Sequence, residues 1–248
     1  MVDVQGCEAK ATPSLGLRVG LMFQRGNFVG REYFAAFQRH GIQPVFLASV
    51  GEIKPESVEW ERRRTGGLWN PAPIPTELEC PHYPNLRDDA LWRRVVGAQV
   101  DIMVQGGVGI LKSEMLAAPR LGFLNIHPGR LPGYRGNSCP EWALFHGDAI
   151  HATAHIIDQG IDTGPVVCSE RYEYQPGSSY EQIRAGIYRH CGEVMVAALW
   201  QLDRAAKAGD WRSALTAQSE DGARYWPQIP AEDLTALVNR LGKAEGLA

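Results

Sequence analysis

The 248-residue sequence has few cysteines and no pattern among them: Cys7, Cys80, Cys139, Cys168 and Cys191 stand apart, with no C-x-x-C pair. An odd, scattered set argues against a disulfide framework or a structural zinc site, and for reduced thiols in a cytoplasmic compartment. No run approaches the ~18 apolar residues that a membrane span requires. Residues 1–16 contain Asp3, Glu8 and Lys10 but no apolar signal-like stretch, so they read as a flexible leader. Charge of one sign is scarce too, with 25 Lys+Arg against 28 Asp+Glu and a formal net charge of −3. Without a basic field, nucleic-acid binding would need a local patch. The densest cluster, Arg62-Arg63-Arg64, follows Glu59 and Glu61 and reads as a solvated face. Neither nucleic acid nor membrane is therefore an expected partner.

What is present is an ordinary globular composition, 44% hydrophobic and 21% charged, with 27 Gly and 16 Pro. This excludes disordered, collagenous and coiled-coil chains. Residues 17–23 (LRVGLMF) form an apolar run, followed by a polar turn and an amphipathic stretch over 32–40, which reads as strand, turn, helix. A second strand is expected over 44–50, then helix 91–98, strand 100–104, helix 112–117 and strand 121–126. Strands at 151–158 and 166–174 and a long helix over 178–207 follow. Ile183, Ile187, Val194, Ala198 and Leu202 keep near-helical spacing, as a core stripe does. Alternating apolar strands and helices imply an α/β, Rossmann-like, doubly wound and mostly parallel sheet. Ligands then belong beyond the carboxyl ends of the strands. The expected organisation is a leader over 1–16, a catalytic domain over 17–208 and a C-terminal extension over 209–248 with a closing helix at 231–241. Residues 54–84, rich in Trp, Arg and Pro, are expected to be mostly irregular, a surface excursion, because proline lacks the amide that helices and sheets need.

The informative stretch is 124–167. Asn125 and His127 lie two residues apart at the end of an apolar strand, so both side chains leave the same face. Asp158 and Asp162 flank Gly160 on a tight loop ahead of Gly164-Pro165. Such a set suits addition of a nucleophile to a carbonyl: Asn125 and His127 donate to the oxygen that gains charge, while Asp162 keeps the imidazole charged. The spacing alone leaves a plainer reading open, in which Asn125 ends a strand, His127 is a satisfied core residue and Asp162 shapes a turn.

The run Asn125-Ile126-His127-Pro128, Leu131-Pro132, Gly136, Ala143, His155 and Asp162-Thr163-Gly164-Pro165 resembles the 10-formyltetrahydrofolate-dependent formyltransferases. Weaker similarity extends over most of 17–207. The resemblance implies a Rossmann-like catalytic domain, 10-formyltetrahydrofolate as cosubstrate, no metal, a homodimer, and Asn125, His127 and Asp162 as the catalytic trio. It places the pterin ring between Val108, Gly109, Ile110, Leu111 and Leu116 on one side and Asp158, Gly160 and Ile161 on the other. Small and apolar residues suit a flat heterocycle.

The acceptor is read as a small-molecule amine. The run HPGRLPGYRGNSCPEWA is most similar to sugar N-formyltransferases, which act on nucleotide-linked amino sugars. That similarity makes Arg130, Tyr134, Arg135 and Glu141 the acceptor-contact candidates: guanidiniums suit a pyrophosphate and an aromatic face stacks on a ring. Exposed charge at Arg130 and Arg135, and the helix dipole at Glu141, explain the same residues without a ligand. Methionyl-tRNA is disfavoured as acceptor by the short tail and acidic balance. Glycinamide ribonucleotide is put in doubt by Gln24-Arg25-Gly26-Asn27-Phe28 where its enzymes carry a phosphate loop. An amino acid of the N-hydroxyornithine type and a non-catalytic folate-binding module remain as alternatives.

Overall fold

The computed structural model describes residues 14–244. Most of the expected leader, with Cys7, lies outside the described residues. From Gly16 on, the chain is tied down, the Gly16 and Leu17 amides donating to the Asp203 carboxylate at 2.8 and 3.0 Å.

Seven strands form one sheet. β1 (Val19–Arg25), β2 (Phe46–Glu52), β3 (His82–Tyr83), β4 (Ile102–Gly106) and β5 (Phe123–His127) run parallel, β7 (His151–Ile156) runs antiparallel to β5, and β8 (Val166–Arg171) runs antiparallel to β7, in the order β3-β2-β1-β4-β5-β7-β8. The strand order reverses between β1 and β4, which opens a crevice at their carboxyl ends. Alternation along β1 buries Leu21 and Phe23 in one apolar cluster and Met22 in another, so both sheet faces are covered as the near-continuous apolar runs require.

Local chemistry sets the helix ends. Asn27 caps α1 (Phe28–Arg39) by accepting from the Val29 amide at 2.8 Å. Ser179 and Gln182 form a reciprocal capping box on α6 (Tyr180–Lys207), whose apolar stripe, including Ile183, Ile187 and Val194, is buried. α3 (Asp89–Gly97) lies on the other face, and the expected helix at 112–117 shortens to α4 (Ser113–Leu116).

Most of the 54–84 segment is irregular, as expected, but not all of it, and one expectation is corrected. It holds a ten-residue helix, α2 (Pro55–Arg64), because Pro55 stands at the helix start, where its missing amide costs nothing. Nor is it a surface excursion throughout. Trp69 is 2% exposed, stacks on Tyr188 of α6 at 3.9 Å between ring centroids and meets Phe28 edge-on at 5.6 Å. Its indole N–H donates to buried Glu32 at 2.9 Å.

The C-terminal extension docks on the loop after β5. β6 (Arg135–Gly136) pairs with β9 (Tyr225–Trp226), and α7 (Ala231–Ala244) packs against α5 (Cys139–His146) with Leu237 buried. Among the described residues no helix is long and apolar enough to cross a membrane.

Candidate active site

β5 and β7 pair so that Asn125 faces His155 and His127 faces Thr153. This register puts the two polar side chains of β5 beside a second imidazole on one face of the sheet. Asn125 Nδ2 donates to His155 Nε2 at 3.1 Å, which leaves its other amide hydrogen for the cleft. Asp162 closes the group from the loop after β7. Its Oδ2 lies 3.5 Å from His127 Nδ1 and accepts from the Gly136 amide at 2.9 Å, while Oδ1 lies 3.6 Å from His155 Nε2. The three residues expected to act together therefore converge. His155 joins them; the sequence carried it only as a member of the motif run, with no role assigned.

The loops hold this geometry by crowding. A Cβ at Gly129 would stand 2.6 Å from His127 Nε2, and one at Gly164 would stand 1.8 Å from the Ile156 carbonyl oxygen. Asp162 itself takes a left-handed conformation, φ 55°, a strained setting for a non-glycine residue that is common at working sites. Asp158 Oδ1 staples the same loop through the Gly160 amide at 3.0 Å and the Thr163 hydroxyl at 2.5 Å.

Electrostatics revise one expectation. Burial pushes His127 below the ordinary histidine pKa, against the opposing pull of Asp162 and the Tyr134 carbonyl and with the help of His155. Burial therefore favours the neutral imidazole in the free protein, against the charged one that Asp162 was expected to hold. Nε2 stands 2.6 Å from the Tyr134 carbonyl, an acceptor only, so it carries the proton and Nδ1 keeps a lone pair beside Asp162. Burial raises the Asp162 carboxyl, but His155, His127 and the Gly136 amide outweigh it and hold the group at about 2.

One wall beside this group is apolar. Val108 and Leu111 are buried in a cluster with Met115 and Phe123, against which Leu116 and Ile157 pack. Ile157 leads into the Asp158 loop, so the two loops share this wall. Gly109 takes φ 87°, and Ile110 and Ile161, one on each loop, are 83% and 58% exposed. A separate cleft of about 470 Å³, lined by none of the four polar residues, opens between Val108, Ile110 and Met115 on one side and Val50 of β2 and Leu86 on the other, with Arg87 and Lys112 in its lining.

The expected acceptor contacts do not come together. Arg130 is exposed, and Tyr134 stacks on Trp226 and donates to Asp148. Arg135 is 1% exposed, bonded to Gln218 and Glu220 of the C-terminal extension. It is thus not an ordinary exposed charge. Glu141 is fully buried, and its Oε1 accepts from Arg64 and from the Tyr180 hydroxyl at 2.7 Å, with Arg184 Nε at 3.4 Å. Burial alone would raise Glu141, but Arg184 and Arg64 hold it at about 2. Arg64 therefore leaves the expected solvated face. It points inward from the end of α2, its guanidinium 3.9 Å from the Trp60 ring centroid. The i, i+4, i+8 spacing of Tyr180, Arg184 and Tyr188 was a legible trace of this polar face. Arg64 left none, because its neighbours Arg62 and Arg63 are exposed.

A cavity of about 790 Å³ between Phe34, Ile42, Phe46 and Leu78 sits at the start of β2, the opposite end of the sheet from the polar group. Among the described residues no cluster of three or more His, Cys, Asp or Glu is placed to hold a metal, and Cys80, Cys139, Cys168 and Cys191 are free.

The sequence model of the family described as Formyl transferase matches residues 73–199. A methionyl-tRNA formyltransferase of Deinococcus radiodurans is 33% identical over 149 residues, which cover 59% of this chain and 43% of that protein. The chain spans about half the length of the curated relatives it matches. The structure is similar to glycinamide ribonucleotide transformylase 1 from Symbiobacterium toebii, with TM-score 0.53 and 22% identity over 76% of this chain and 91% of that one. It is also similar to HypX from Aquifex aeolicus in complex with tetrahydrofolic acid, with TM-score 0.55 and 16% identity over 91% and 34%. At these identities the structural likenesses show a shared fold.

Proposed function

The chain belongs to the formyl transferase family, and from that premise we propose that it transfers a formyl group from 10-formyltetrahydrofolate to the primary amine of a small molecule. The observation that carries this reading is the convergence of Asn125, His127, His155 and Asp162 at the carboxyl end of β5, next to the apolar residues of the loops that follow β4 and β7. A folate suits these loops in kind. Exposed Ile110 and Ile161, one on each loop, present apolar surface that a flat ring would cover, and the cleft on the far side of Ile110 carries Arg87 and Lys112, which suit an anionic tail. The HypX complex with tetrahydrofolic acid, on the same fold, supports this choice of donor.

Bound 10-formyltetrahydrofolate would supply an electrophilic formyl carbon and a leaving nitrogen. The chain's own residues provide the rest. Asn125 directs its free amide hydrogen at the formyl oxygen, which gains charge as the amine adds. Neutral His127 takes the amine's proton on Nδ1, directly or through a water. Asp162, ionised at any working pH, stabilises the imidazolium so formed. The same proton then passes to the leaving nitrogen, so His127 ends neutral as it began.

The acceptor proposed first is a nucleotide-linked amino sugar, on the similarity of the 127–143 run to sugar N-formyltransferases. The test is a panel of amines incubated with 10-formyltetrahydrofolate, following tetrahydrofolate release and the formylated product by mass. Amine-dependent release is expected. Saturable folate binding with no transfer to any amine would sink the enzymatic reading.

A further inference from the structure

A cavity of about 240 Å³ opens beside His127, between the amino end of α5 and the inner faces of α2 and α6. We propose that this cavity is an oxyanion pocket in which Arg184, Arg64 and the amino end of α5 hold a phosphate or carboxylate of the acceptor, turning its amine toward His127. The proposal rests on the formyl-transfer reading and adds to it the class of acceptor: an amine that carries an oxyanion within a few bonds.

Arg184 is buried with part of its guanidinium unpartnered. Its side chain is 2% exposed and lines the cavity, yet Nη1 has no hydrogen-bond partner in the protein. A buried guanidinium hydrogen left unmade costs more than ~1–3 kcal/mol, because the group is charged. Nη2 donates to the Tyr188 hydroxyl, and Nε only approaches Glu141 Oε1, at 3.4 Å. That one oxygen already serves Arg64 and Tyr180, while Oε2 of the same carboxylate is buried with no hydrogen-bond partner. Two buried guanidiniums thus share one buried carboxylate. Glu61, the other acid facing them, lies 3.6 Å from Arg64 at the mouth, is partly exposed, and accepts from Tyr188 at 2.7 Å.

A second observation points the same way. α5 begins in the cavity wall at Ser138, which sits in a left-handed conformation (φ 51°) and makes no side-chain capping bond. A helix start without a capping side chain, beside an under-partnered arginine, favours an anion on both counts. Volume narrows the choice. About 240 Å³ admits a phosphate or an amino-acid-sized group but is below the ~300–1,000 Å³ of sites that enclose larger ligands. Whatever else the acceptor carries leaves past Trp60, which is 42% exposed at the mouth. The proposal also gives the 54–84 segment a task, since α2 brings Trp60, Glu61 and Arg64 to this wall.

The first test needs no turnover. The full chain is titrated with inorganic pyrophosphate and, separately, with acetate, read by tryptophan fluorescence and calorimetry. Saturable binding of at least one is expected. Arg184→Gln should weaken it at least tenfold, the loss expected for charge-assisted hydrogen bonds. Glu61→Gln should tighten it severalfold by removing the negative charge at the mouth. Identical titrations of wild type and Arg184→Gln overturn the proposal, as does an unaltered Glu61→Gln if Arg184→Gln fails to fold. Which ligand binds tighter distinguishes a phosphate-bearing acceptor from a carboxylate-bearing one.

The second test is kinetic. Arg184→Lys should raise the acceptor KM about tenfold while the KM for 10-formyltetrahydrofolate stays within twofold. An amine lacking an anionic group should not discriminate the two proteins. An acceptor KM unchanged in Arg184→Lys overturns the pocket while leaving formyl transfer standing. Arg184-dependent pyrophosphate binding without transfer to any amine leaves the pocket and removes the function.

Discussion

Two walls near the polar group, belonging to separate cavities, solve opposite problems. The wall built from the loops at 108–111 and 157–162 is apolar and leaves Ile110 and Ile161 uncovered, whereas the wall built from α2, α5 and α6 buries two arginines and a glutamate and leaves Nη1 of Arg184 without a partner. Each wall is unsatisfied in the currency of a different ligand, apolar surface on one side and charge on the other. Between them stand Asn125, His127, His155 and Asp162, close to one another within 3.1 to 3.6 Å. Space alone would mislead, since a roomier cavity lies at the far end of the sheet. The chemistry sits where unsatisfied groups of two kinds meet.

The largest expected effect removes what lies between the walls. Asn125→Ala, His127→Ala and Asp162→Ala should each lower kcat at least ~100-fold, the typical loss for one oxyanion donor or its partner, with circular dichroism unchanged. A folded Asp162→Ala protein that turns over normally would refute the assignment.

Next comes the charged wall as a structure. Glu141→Ala strands two buried guanidiniums and should cost ~3–5 kcal/mol in urea unfolding. On the apolar wall, Ile110→Ser and Ile161→Ser should leave stability within ~0.5 kcal/mol, because both side chains are exposed. Each should raise the donor KM about three- to tenfold by removing surface a folate covers. If Ile161→Ser destabilises the fold and leaves the KM unmoved, the contrast between the walls fails.

The smallest effect is a titration. The His127 ring should titrate below 6.5 by NMR, and Asp162→Asn should lower the midpoint further, because the Asp162 charge raises it. The linkage has a definite sign. With the folded pKa depressed, the unfolded chain binds the His127 proton first, so stability falls as pH drops below 6.5 toward the folded value. Asp162 acts in a lower window: its contribution is complete above 3.8 and is lost as pH falls through about 2. A His127 midpoint above 6.5 would restore a charged imidazole in the free protein and reverse the proton path.

The sheet was readable because each strand is a short apolar run bounded by turn residues, and burial on both faces leaves such a run little alternative. The trio was readable because strand periodicity and one tight loop, both local, aim its members. Arg64 and Arg184 were not readable as a pair. They stand 120 positions apart, and only the packing of α2 on α6 turns one arginine of three inward. Trp69 hid for the same reason, because its stacking on Tyr188 is decided by a helix far along the chain. The acceptor candidates Tyr134 and Arg135 looked free in the sequence. β9 and the residues before it, from beyond 215, occupy them in the fold.

The amino-acid order by itself settled the alternation of strands and helices, the shared face of Asn125 and His127, and the turn that carries Asp162, since each depends on residues within a few positions. The tertiary structure alone decided which charges are buried, that burial favours a neutral His127, and which wall near the polar group carries cations. Those depend on desolvation and on partners brought from distant segments, and neither is a property of any local stretch of chain.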